Sequence, residues 1–73
     1  MTENELNVIN KVTSELDEAT SVNTINKVYR QARNWARYHC YYEGACTPKT
    51  LNELNRVFKS AWKRAVNRIG GTY

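Results

Sequence analysis

Cys40-Tyr41-Tyr42-Glu43-Gly44-Ala45-Cys46-Thr47-Pro48-Lys49-Thr50-Leu51 is the stretch on which the fold turns. Thr47 is a strong N-cap residue. Proline after it, in the first helical position, sacrifices no hydrogen bond, because the N–H it lacks would have no partner there. Gly44 is a stop for the helix before it, since glycine enters the left-handed conformation without a Cβ penalty. One helix therefore ends near Glu43 and another begins at Pro48, with about four residues between them. So short a connection favours two antiparallel neighbours.

Upstream of this turn, Val22, Ile25, Val28, Tyr29, Ala32, Trp35, Ala36 and His39 recur at helical spacing. They predict a helix over about 22–43 with Thr20 and Ser21 as its cap. Downstream, Leu51, Leu54, Phe58, Ala61, Trp62, Ala65 and Ile69 predict a helix over about 48–69. Gly70-Gly71 ends it and leaves a short tail, 70–73. Each of these helices would be about 33 Å long at 1.5 Å per residue. Near the start, Thr2 and Glu5 fit a capping box, and Leu6, Ile9, Val12, Leu16 and Ala19 form one apolar stripe over roughly residues 3–19.

The expected fold is all-α: a small three-helix domain, with a long antiparallel hairpin covered by an N-terminal amphipathic helix. A chain of 73 residues has no room for a second core. A chain this short buries only about 60% of its unfolded surface, so a homodimer sharing apolar surface would fit so small a core. No run approaches a membrane span, and the acidic start, Met-Thr-Glu-Asn-Glu-Leu, lacks the pattern of a secretory signal. The expected setting is the cytoplasm, without a membrane partner.

The formal net charge of +4 is a cancellation. Glu3, Glu5, Glu15, Asp17 and Glu18 stand against Lys11 in the first 20 residues, a net of −4. The remaining 53 residues carry ten bases against Glu43 and Glu53, a net of +8. Asymmetry of this kind points to an interaction surface. Nine asparagines against four leucines give a vocabulary similar to that of short accessory proteins from AT-rich genomes, large DNA phages among them. A phage origin would place the protein in the host cytoplasm.

The inventory offers little chemistry. His39, Cys40 and Cys46 are close in sequence, but structural zinc usually takes four ligands and no fourth stands nearby. His39 is expected to be a packed, hydrogen-bonded histidine, and no metal or cofactor is expected. Cys40 and Cys46 are close enough for a disulfide, yet a reducing cytosol favours free, partly buried thiols. A Cys–His pair adjacent in sequence is not the spatial arrangement that thiol enzymes use. No apolar pocket is evident to raise an acid's pKa, and no glycine-rich phosphate loop precedes a helix. An enzyme is not expected.

What remains is surface. Arg30, Asn34, Arg37 and Tyr41 follow one outward strip of the second helix, with Arg33 beside it and Tyr38 nearby. Asn52, Arg56, Lys59, Lys63 and Asn67 form the equivalent strip of the third, with Lys49 flanking and Arg64 and Arg68 at its edge. Like charges three or four residues apart cost about 0.2–0.5 kcal/mol per pair, so solubility alone would favour interspersed acids. Lys and Arg neutralise phosphates, while Asn bonds phosphate oxygens or base edges. Tyrosine beside arginine suits stacking on unpaired bases.

A helix-turn-helix fits poorly, because its recognition helix concentrates base contacts near its N-terminus and these strips run the length of their helices. The leading expectation is a small basic nucleic-acid-binding accessory or regulatory protein, with RNA favoured over duplex DNA. The alternative is an inhibitor or adaptor docking on an acidic or nucleic-acid-binding surface of another protein, as a phage host-takeover or counter-defence factor would.

Overall fold

A computed structural model describes residues 2–70 and builds them from helices and short connections. The elements are α1 (Glu3–Glu18), α2 (Val22–Arg37) running on into a π-helical turn (Tyr38–Tyr42), and α3 (Pro48–Ile69). Among the described residues there is no strand. Of the expected tail 70–73, all but Gly70 lies outside the described residues.

Each predicted start has its cap. Thr2 Oγ1 accepts from the Glu5 amide at 3.2 Å, and Glu5 Oε1 accepts from the Thr2 amide at 2.8 Å, which completes the capping box. Ser21 caps α2 by accepting from the Thr24 amide at 3.2 Å, and Thr47 caps α3 through the Thr50 amide at 3.3 Å. The two stops are glycines in the left-handed region, Gly44 at φ 64° and Gly70 at φ 83°. Any other residue at those positions would strain its Cβ against the backbone.

α2 and α3 share the main interface and α1 packs on both. The hairpin is antiparallel: Cys40 meets Cys46 at the turn, while Trp62 reaches back to Tyr29 and Asn26 further along α2. Leu16, Ile25, Ala36, Leu54, Phe58 and Ala65 are fully buried and bring all three helices into one cluster. Several of the interior positions are alanines, so the helices approach closely and Phe58 fills the space between them. Tyr29, Trp35, Leu51, Trp62 and Ile69 pack half-buried around that cluster.

Three expectations need correction. The first concerns the phase of α1. Leu6, expected at the core, is 49% exposed, and Glu5, expected only as a cap, is 2% exposed. Glu5 shares a face with Val12, Leu16 and Ala19 at spacings of seven, four and three, whereas Leu6 lies about 100° around the helix. The second concerns the end of α2, which closes as a π turn, with the Glu43 amide donating to the Tyr38 carbonyl at 3.1 Å. The third concerns the cysteines. Cys40 and Cys46 are joined in a disulfide, with Cα atoms 4.8 Å apart, inside the usual bridging range. The expectation of free thiols rested on redox compartment. The π turn and Gly44 bring the two Cα atoms within bridging distance, as their spacing of six allows.

Candidate nucleic-acid interface

Every residue predicted for the interface lies at the surface: Arg30, Arg33, Asn34, Arg37, Tyr38 and Tyr41 on α2 and its π turn, and Asn52, Arg56, Lys59, Lys63 and Asn67 on α3. The helical period explains this, since each strip sits opposite buried Ile25, Ala32 and Ala36 or buried Leu54, Phe58 and Ala65.

The seam between the two helices fixes how the strips are disposed. Trp62 Nε1 donates to Asn26 Oδ1 at 2.9 Å, and the Trp62 ring stacks on Tyr29 with centroids 5.2 Å apart. The Arg33 guanidinium lies over the Tyr29 ring, 5.6 Å from its centroid. Arg33 therefore stands at the α2 edge of the seam, held by a cation–π contact that leaves its donors outward. Arg30 and Asn34 share a shallow open groove on α2 with Asn26 and Lys27. Asn52 and Arg56 share another on α3 with Lys49 and Glu53. Each groove is lined by one helix alone, so these groups are brought together along each strip. Arg56 also borders the groove between α1 and α3, beside Thr13 and Arg64.

Among the described residues, the charges on the strips have no carboxylate counterparts. Among the described residues the ion pairs are His39 with Glu5 at 3.0 Å, His39 with Glu43 at 3.7 Å, and Arg64 with Asp17 at 3.9 Å. Among the described residues, no carboxylate lies within ion-pair distance of Arg30, Arg33, Arg37, Arg56, Lys59 or Lys63. A row of cations three and four residues apart raises the local potential and favours a polyanion.

Arg68 behaves differently. Its Nη2 donates to the Leu16 and Ala19 carbonyls, each at 2.9 Å, across to the end of α1. Those carbonyls stand at the C-terminus of α1, where the Leu16 carbonyl also accepts from the Ala19 amide at 3.3 Å and a cation meets the negative end of the dipole. The sequence placed Arg68 merely at the edge of the basic strip. Its spacing of seven from Ala61 and fourteen from Leu54 carried the signal, because that spacing puts it on the apolar side of α3.

The π turn was also unforeseen as a positioning element. Within Tyr38–Tyr42 the chain sends His39 and Cys40 inward, at 7% and 6% exposed, and leaves Tyr38, Tyr41 and Tyr42 outward. His39 bonds Glu5 and stacks on Trp35, with centroids 4.8 Å apart and planes within 11°. This fits the expectation of a packed, hydrogen-bonded histidine. The Thr2 amide, with help from His39, holds the Glu5 carboxyl below its ordinary value, and outweighs burial, which pushes the other way. Among the described residues no cluster of three histidine, cysteine or acidic side chains could hold a metal ion. Likewise, among the described residues no helix is long and apolar enough to cross a membrane.

In comparisons with known proteins, no family model, curated protein or solved structure matches this chain.

Proposed function

We propose that this protein is a small nucleic-acid-binding accessory protein, with RNA favoured over duplex DNA, which grips the phosphate backbone through the outward faces of α2 and α3. Arg30, Arg33, Arg37, Arg56, Lys59 and Lys63 bind phosphates. Asn34, Asn52 and Asn67 add hydrogen bonds to phosphate oxygens, sugars or base edges, and Tyr38 and Tyr41 add stacking. The observation that carries the reading is that these cations face outward without carboxylate partners among the described residues, whereas Arg64 and Arg68 are engaged with α1. An unneutralised cationic strip is the requirement for displacing counterions from a polyanion.

The test is binding of the protein to mixed-sequence RNA and DNA across a salt series, with an Arg56/Lys59/Lys63→Ala variant alongside. The expected result is a log–log salt slope that becomes shallower by about 2 in the variant on single strands. Absence of binding to any nucleic acid at low salt would overturn the reading. The alternative, docking on an acidic protein surface, would then be the one to pursue.

A further inference from the structure

Where the α2 strip reaches the π turn, three exposed tyrosines add aromatic chemistry to the basic surface. Tyr38, Tyr41 and Tyr42 are 57%, 66% and 81% exposed. Tyr38 and Tyr42 already stack on each other, with centroids 5.5 Å apart and planes 24° from parallel.

The platform is braced from beneath. Cys40 is buried and tied to Cys46, His39 is buried against Trp35 and Glu5, and the Ala45 amide donates to the His39 carbonyl at 3.2 Å. The backbone carrying the rings is therefore fixed before any ligand arrives, which reduces the ordering cost of binding.

Two arguments decide what the platform receives. The first is size. A stable protein interface buries about 800 Å² per partner, and three partly exposed tyrosines offer roughly half of that. One or two nucleobases are a closer match. The second is charge. Arg37 lies four residues before Tyr41 on the same side of the helix and among the described residues has no carboxylate partner. The nearby acid, Glu43, is directed at His39 Nδ1 at 3.7 Å. Tyrosine rings next to an available guanidinium suit a base whose own phosphate must be held.

The geometry points to Tyr38, Tyr41 and Tyr42 as a stacking platform for unpaired bases at the turn end of the basic hairpin. The preferred ligand is thus a single strand or an unpaired overhang, not continuous duplex. This rests on the nucleic-acid reading above and adds to it the part of the ligand that is recognised.

The test compares wild type, Tyr41→Ala/Tyr42→Ala and Tyr41→Phe/Tyr42→Phe, each titrated with a single-stranded RNA oligonucleotide and with a duplex of equal phosphate count. Sedimentation of each protein alone is run in parallel. The two rings are the most exposed of the three, so both variants retain the buried half of the turn. The expected outcome is tighter binding of the single strand by wild type, with affinity lowered on the order of tenfold or more by alanine and preserved by phenylalanine. Duplex binding should not change. If wild type binds neither ligand, the nucleic-acid reading falls and the platform falls with it. If it binds both equally and the alanine variant matches it, the basic faces stand and the platform is overturned. If alanine abolishes self-association and leaves RNA binding intact, the rings serve a second copy of the chain and the platform is overturned.

Discussion

The hairpin of α2 and α3 has two sides, and they treat the same residue types in opposite ways. On the side where α1 sits, polar groups are matched. His39 meets Glu5, Arg64 meets Asp17, and Arg68 closes the carbonyl end of α1. On the outer side, Arg30, Arg33, Arg37, Lys59 and Lys63, with Arg56 where that side borders α1, have no carboxylate within reach among the described residues. The chain has acids enough to pair several of these cations, but most sit on α1. The lesson is one of allocation: counter-charge supports assembly on one side and is withheld from the other. A cation's contribution to stability or to binding follows from which side it occupies.

The largest expected effect breaks the inner side. Glu5→Ala removes a capping partner and strands a buried histidine. Losing one partner of a buried pair costs about 3 kcal/mol, on the order of 15 °C in melting temperature for a domain of this size. Leu6→Ala, one residue along, should shift it by less than about 1 kcal/mol, because Leu6 is half exposed. Thermal melts followed by circular dichroism distinguish the two, and equal losses would refute the phase assigned to α1.

Reducing the Cys40–Cys46 bridge comes next. Closing so short a loop contributes about 2 kcal/mol in the chain-entropy account, so melts with and without a dithiol reductant should differ by that order. Arg68→Ala is smaller. Two partly buried charge-assisted bonds and a dipole contact amount to about 1–2 kcal/mol, measured by denaturant midpoint. Arg33→Ala, on the outer side, should stay within about 1 kcal/mol, since only its cation–π contact with Tyr29 is lost.

Acid sharpens the same comparison. The Glu5 carboxyl is held below its ordinary value of 4.5 in the folded protein. The stability this provides is complete above the ordinary range and is lost as pH falls through the lowered folded value. Melting temperature should therefore fall more steeply with acid in wild type than in Glu5→Gln at pH below about 4. Parallel curves would show that Glu5 does not carry the acid sensitivity.

Much of this was legible in the sequence, for local reasons. Thr2 with Glu5, Ser21, Thr47-Pro48 and the glycine stops act within a few residues of themselves, so they set helix ends without knowledge of the fold. The outward strips were legible too, because the helical period alone puts Arg30, Arg37, Lys59 and Lys63 opposite the core. The misreadings concern contacts between elements. Glu5 and Leu6 are neighbours; Glu5 shares the buried face of Val12 and Leu16 and finds its partner in His39, 34 residues away. Arg68 looked like another surface cation until the end of α1 supplied its acceptors. The π turn, and with it the disulfide and the third tyrosine, depends on one extra residue in the last turn of α2, which periodicity counted as α-helical.

We propose that the outer cations are held for phosphate and the inner ones for the fold. The most direct test is the salt slope of RNA binding measured for Arg56/Lys59/Lys63→Ala and for Arg68→Ala, at a temperature where both are folded. The account predicts a slope shallower by about 2 for the outer triple variant and unchanged for Arg68→Ala. Equal slopes in both variants, or a change confined to Arg68→Ala, would contradict it.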